Sequence, residues 1–188
     1  MPTETKIGKT ALRLVTGDLA EQDTDAVVTA AHWRLNKGTG TDGTIHSKGG
    51  PKIYEECRKI GGCPIGGRGH HHGRQSQGAL RDPRCRRGGD EDEPKLLASA
   101  YRRSLRVAVQ NNLRSVSFPS FSTGAFAYPV NLAAPLALRT IVEFLRLGEH
   151  NLDEVRIVLY PREDDTAYPL FAVALEQILA ERPAGGRV

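Results

Sequence analysis

The chain has 188 residues, 39% of them hydrophobic and 26% charged, and a formal net charge of +4. That length supports one domain with a sizeable core, and the composition is that of a globular chain, neither disordered nor fibrous. No apolar run is long enough for a membrane span, the first residues lack the apolar stretch of a secretory signal, and three cysteines without paired spacing form neither a disulfide framework nor a zinc pattern. The expectation is a cytoplasmic protein with reduced thiols, no membrane partner and no metal. The basic balance belongs to one segment: residues 68–87 hold six arginines against one acid, so the rest of the chain is slightly acidic. A basic nucleic-acid-binding protein is therefore disfavoured.

In chain order, residues 11–16 alternate apolar and polar side chains and stop at Gly17-Asp18, which predicts a first strand. Ala26-Val27-Val28 opens a second, buried strand over 25–31. Gly38, Gly40 and Gly43 then form a loop around Asp42, and a helix is expected to begin near Ile45-His46. Residues 51–59 predict a helix with Ile53, Tyr54 and Cys57 on one face and Gly61-Gly62 as its stop. Pro94 suits a first helical position before a stripe of Leu97, Tyr101, Leu105 and Ala108. A strand over 115–118 runs into Pro119, and Asn131 is expected to cap the next helix. A strand over 155–160 and an amphipathic helix over 168–181 complete a single domain over 1–182, with 183–188 as a tail. Strands alternating with helices imply a layered α/β fold that binds ligands at the carboxyl ends of its strands.

Two loops carry the chemistry. Strand, glycine-rich loop and helix over 25–46 is a geometry in which backbone N–H groups converge on a phosphate. Asp42 would repel a phosphate there unless it had a chemical task, which points to a nucleotide-diphosphate site with a reaction attached. The second loop, Ser122-Thr123-Gly124-Ala125-Phe126, also follows a strand: the two hydroxyls are donors, Gly124 permits close backbone approach, and Phe126 offers a face to a ribose. Taken alone, this second loop also fits a plain turn ending at Pro129.

Gly17-Asp18-Leu19, residues 25–51, Glu55-Glu56-Cys57-Arg58 followed by Gly61-Gly62-Cys63-Pro64, and residues 119–129 together resemble a macrodomain. The resemblance is closest to the bacterial and MacroD-like branch and spans nearly the whole chain in the right order. It implies a three-layer α/β/α fold around a central mixed, largely parallel sheet. It also implies an ADP-ribose-binding domain that hydrolyses mono-ADP-ribosyl protein or O-acetyl-ADP-ribose esters without a cofactor. The implied partners are ADP-ribose or an ADP-ribosylated protein. Asp18 would accept the adenine amino hydrogen, with the Leu19 backbone following it, and Tyr160 would stack on adenine. Gly38, Gly40 and Gly43 would form the first phosphate loop, and Ser122, Thr123, Gly124, Ala125 and Phe126 the second. Asp42 would activate or orient water near the distal ribose. Asp18 also suits a turn cap and Tyr160 a core aromatic, and His46 reads as packing within its helix.

The departures from the family pattern fall at three places: His32, the neighbouring Trp33 and Lys37, and 68–87. His32 stands ten residues before Asp42, where active members carry the second Asn of an Asn-Ala-Ala-Asn run. Imidazole titrates near neutral pH but cannot donate and accept from one fork as an amide does, so we place His32 beside Asp42 in the catalytic set and keep a non-catalytic ADP-ribose reader as the alternative. Trp33 beside it and Lys37 in a glycine position are also unusual. The third departure is 68–87, RGHHHGRQSQGALRDPRCRR, which lacks the apolar content of the two strands the family has there. Adjacent histidines on a loop make a poor metal site, and a disordered basic loop is one reading. Read from the second base of each codon, with permitted codon choices, the segment gives AAITTAGNLKARYVIHAVG, which has the missing strand-turn-strand character. The segment thus reads as a frameshift product with frame regained before Gly88, and a clean resequencing in the present frame would refute that. Taken as written, it predicts the loss of an edge pair beside the 25–31 strand and a less stable domain whose phosphate loops remain.

Overall fold

The structure, a computed structural model, describes residues 4–31, 34–36, 38–62, 68–69, 77–79, 93–124, 127–161 and 167–181. The strands are β1 (Glu4–Ile7), β2 (Thr10–Thr16), β3 (Ala26–Val27), β4 (Ala30–Ala31), β5 (Arg68–Gly69), β6 (Gln77–Ala79), β7 (Ser115–Pro119) and β8 (Glu154–Leu159). The helices are α1 (Gly40–Gly49), α2 (Pro51–Ile60), α3 (Glu93–Gln110), α4 (Val130–Arg146) and α5 (Ala167–Ala180), and a single 3-10 turn covers Leu19–Glu21.

Five strands form the main sheet in the order β1-β2-β8-β7-β3. Only the β1–β2 pair is antiparallel, and β2, β8, β7 and β3 run parallel. Alternation along the strands sends side chains to two helical layers. Ala26, Val28, Phe118, Ile157 and Leu159 enter the main core with Leu105 of α3, Leu138 and Ile141 of α4 and Phe171 of α5. Val27 and Val158 point the other way and pack with Ile45 of α1 and Leu19. Helices on both faces make the three layers that the sequence implied. Among the described residues no helix is long and apolar enough to cross a membrane.

The strand expected over 25–31 is two short strands, β3 and β4, which belong to different sheets. Asp25 Oδ2 accepts the Arg114 and Ser115 amides at 2.8 and 2.9 Å and so fixes the register of β3 on β7. Val28 N–H still donates to Ser117 O at 2.8 Å. Beyond Thr29 the chain leaves β7, and β4 pairs with β6, which in turn pairs antiparallel with β5. Taken as written, 68–87 predicted the loss of this edge pair, and the structure corrects that. The backbone retains both, shortened to registers of two residue pairs each.

Two boundaries differ from expectation. The helix expected near Ile45-His46 begins at Gly40, so the glycine-rich stretch supplies its first turn and Asp42 lies inside it. Asn131 does not cap α4: the cap position is Pro129, and Asn131 lies within the first turn. A proline there fixes the entry angle of the chain, and its missing N–H removes one of the donors a helix start leaves unpaired.

Candidate functional site

A cleft of about 670 Å³ opens at the carboxyl ends of the parallel strands. Gly17, Asp18 and Leu19 follow β2, Leu159 and Tyr160 end β8, and Pro119 and Ser120 end β7. Gly40 and Thr41 of α1, Val130 of α4 and Ala167 of α5 add the first residues of three helices to its wall. Helix starts present unpaired N–H groups and the positive end of the helix dipole, so the cleft is built for an anion.

Of the residues picked out in the sequence, Asp18, Leu19, Gly40, Thr123, Gly124 and Tyr160 line this cleft. Gly38, Asp42, Gly43 and Ser122 do not line it but lie in the loops and the α1 helix start that supply lining residues. His32, Trp33, Lys37, Ala125, Phe126 and the histidines at 70–72 lie outside the described residues, as does the tail 183–188. Thr41, Thr44 and Ser120 also line the cleft without having been assigned a role. The spacing of Gly40, Thr41 and Thr44 places them on one helical face only once α1 is known to start at Gly40.

At one end, Asp18 Oδ1 accepts the Ala20 amide at 2.8 Å and Oδ2 accepts from Lys48 Nζ at 2.9 Å. Lys48 also reaches Glu21 Oε1 at 2.9 Å. Partial burial pushes the Asp18 carboxyl up, but the Ala20 N–H and the Lys48 ammonium outweigh it and hold the carboxyl below its ordinary range. Asp18 is thus a turn cap and a cleft residue at once. Tyr160 is 65% exposed, which sets aside the alternative that it is a core aromatic.

The first loop is shaped by Asp42. Its side chain, 3% exposed, turns back over the helix start so that Oδ2 accepts the Gly38 amide at 2.8 Å. The approach is so close that a Cβ on Gly38 would stand 2.6 Å from Oδ2, and one on Gly43 would stand 2.8 Å from the Gly38 carbonyl oxygen. Gly43 is therefore a spatial requirement, and a side chain at Gly38 would displace the Asp42 carboxylate. His46, one turn along and 5% exposed, has Nε2 3.9 Å from Oδ2. Burial raises the Asp42 carboxyl above its ordinary range, against the opposing pull of the Gly38 N–H and the His46 imidazole. Asp42 Oδ1 and Thr29 Oγ1 are buried without a well-formed hydrogen bond among the described residues, yet the Thr29 hydroxyl is near enough to help lower the Asp42 carboxyl. Cys57 of α2, buried nearby, has its thiol pushed up to about 11 by burial and by the Asp42 charge, so it is no nucleophile at neutral pH.

The second loop is held in a strained form. Ser122 has φ 63° and Ala127 φ 53°, left-handed conformations that cost a non-glycine residue about 1–3 kcal/mol each. The loop closes on itself: Tyr128 N–H donates to Ser122 O at 3.0 Å and Ala127 N–H to Gly124 O at 2.9 Å. Thr123 Oγ1 donates to Ser120, with the carbonyl oxygen at 3.1 Å and Oγ at 3.0 Å.

A largely parallel sheet between helical layers, with a cleft at the carboxyl ends of its strands, defines an α/β domain with a candidate ligand cleft. Comparison with known proteins narrows the class. The Macro domain family model matches residues 28–137. A macro domain-containing protein of Caldanaerobacter subterraneus subsp. tengcongensis is 38% identical over 179 residues, covering 90% of this chain and 98% of its own. An O-acetyl-ADP-ribose deacetylase of Citrobacter koseri is 37% identical over 172 residues, 85% of this chain and 94% of its own. The Oceanobacillus iheyensis macrodomain, solved with ADP, superposes with a TM-score of 0.80 at 28% identity, covering 94% of this chain and 95% of that one. The chain belongs to the macro domain family.

Proposed function

We propose that this domain binds ADP-ribose in the cleft and hydrolyses an ester-type linkage at the distal ribose, with mono-ADP-ribosyl protein or O-acetyl-ADP-ribose as substrate. The observation that carries the binding reading is the convergence of three helix starts and two backbone loops on one cleft, with an acceptor, Asp18, and an exposed ring, Tyr160, at its end. A diphosphate needs many N–H donors, and adenine needs an acceptor and a flat partner. Similarity to proteins named for O-acetyl-ADP-ribose or solved with ADP supports the same ligand class. For hydrolysis, Asp42 is the base of this reading, since burial raises its proton affinity above the ordinary carboxylate range.

One observation favours a second reading, a non-catalytic ADP-ribose reader. Asp42 does not line the cleft, and its Oδ2 is committed to the Gly38 amide, so the carboxylate serves the loop whether or not it serves a reaction. Calorimetric binding of ADP-ribose together with turnover of both substrates separates the two. Binding with turnover that Asp42→Ala abolishes supports the hydrolase, and binding without turnover in the wild type supports the reader. A wild-type chain that does not bind ADP-ribose refutes both.

A further inference from the structure

Tyr101 sits in the middle of α3, 1% exposed, and its hydroxyl reaches through the core to the underside of the second loop. It donates to Pro119 O at 3.1 Å and accepts the Phe121 N–H at 3.3 Å. One oxygen thus ties the backbone on both sides of Ser120, which lines the cleft. The ring is locked against Phe118 at 5.4 Å and Phe121 at 4.8 Å between centroids, and these two rings meet edge-on at 6.2 Å. Burial raises the phenol far above its ordinary range, so at neutral pH it stays protonated and can both donate and accept. From the other side Thr123 Oγ1 grips the same residue through Ser120 O and Oγ. Ser120 is clamped from below by the core and from above by the loop it belongs to. The left-handed Ser122 follows directly, a conformation that persists only where its surroundings hold it.

We propose that the Tyr101 hydroxyl is a positioning group for the diphosphate: it sets the second loop to the shape that meets the ligand's phosphates while touching no ligand atom itself. This rests on the reading that the cleft takes ADP-ribose. A bond that only held the core together would affect all ligands and the fold alike. A positioning bond acts most strongly at the diphosphate, because Tyr101 bonds the backbone at Pro119 and Phe121, whereas Asp18 and Tyr160 follow β2 and β8 and are linked to it through the β7–β8 pairing.

The test is Tyr101→Phe in the full chain, which keeps the ring packing and removes only the hydroxyl. ADP-ribose and adenosine affinities are measured side by side, with amide hydrogen exchange at Phe121. ADP-ribose binding is expected to weaken roughly tenfold, as for a small displacement of a positioned group, and adenosine binding to change less than about twofold. The Phe121 amide is expected to exchange slowly in the ligand-free wild type and faster in the variant. Fast exchange at Phe121 in the wild type overturns the clamp without need of a variant. Unchanged ADP-ribose affinity, or equal loss for both ligands, overturns the positioning role while leaving the binding reading intact. A wild-type chain that fails to bind ADP-ribose overturns the binding reading, and the positioning role falls with it.

Discussion

Asp42 Oδ2 accepts the Gly38 amide at 2.8 Å, so the acid assigned to water activation is also the latch of the first loop. The two roles respond differently to substitution. Asp42→Asn keeps an oxygen that accepts the amide but removes the base, and Asp42→Ala removes both. On the hydrolase reading, Asp42→Asn loses about 100-fold or more in turnover with ADP-ribose affinity nearly unchanged, whereas Asp42→Ala also weakens binding. Equal binding by both variants, measured calorimetrically, would remove the latch.

The raised proton affinity of Asp42 sets the sign of its pH effect. An acid whose folded pKa exceeds its unfolded one contributes stability fully below the unfolded value. That contribution is lost as pH rises through the folded value. Above that window the domain carries the cost of a buried charge, which Asp42→Asn removes. The melting temperature of Asp42→Asn relative to wild type is therefore expected to be higher at pH 7 than at pH 3.5. Thermal melts at the two pH values check this, and a difference that is the same at both refutes it.

Gly43→Ala brings a Cβ to 2.8 Å from the Gly38 carbonyl oxygen, a backbone atom that cannot swing aside. Overpacking of this kind costs about 1–3 kcal/mol. The melting temperature should fall by roughly 4–8 °C for a cost near 2 kcal/mol in a domain of this size. Gly8→Ala, with nothing within 4 Å of the added carbon, is the comparison: there φ is +60° and only backbone strain acts. ADP-ribose affinity should fall for Gly43→Ala and hold for Gly8→Ala.

Lys48 occupies Asp18 Oδ2, the acceptor proposed for the adenine amino group. Lys48→Met frees that oxygen, and because the pair is solvent-exposed its loss should leave the melting temperature almost unchanged. ADP-ribose affinity is expected to rise about two- to fivefold, in line with the weak coupling of exposed ion pairs. A fall in affinity on titration would show that the ammonium assists the ligand instead.

The β4–β6–β5 sheet rests on two-pair registers, whereas β7 is paired on both sides within the main sheet. Short ladders with few buried contacts open first. Amides of β4 and β6 are expected to exchange orders of magnitude faster than those of Val116 and Phe118, which are fully buried at the sheet centre. Exchange measured residue by residue decides it, and uniform protection across both sheets would contradict it.

Much of the domain was legible in the chain because the information was local. Period-two alternation marked β2, the apolar runs marked β3, β7 and β8, and stripes of helical spacing marked α3 and α5. Gly40, Thr123 and Gly124 were found because loops after strands carry recognisable residue types, Asp18 and Tyr160 through the family resemblance, and the structure brings all five to one cleft. Other features depend on contacts that residue type and periodicity do not reveal. The start of α1 at Gly40 follows from Asp42 reaching back to Gly38, and a glycine-rich stretch gives no helical signal of its own. The split of the 25–31 strand between two sheets is set by which partner, β7 or β6, lies beside each half. Tyr101 reads in the sequence as one more apolar position of a helical stripe. Only packing across the core brings its hydroxyl under Pro119 and Phe121 and makes it part of the site. Residue type and spacing determined what the loops can bind, and long-range contacts decided which atoms are free to do it, because a hydrogen-bonding group's availability depends on what the fold has already placed against it.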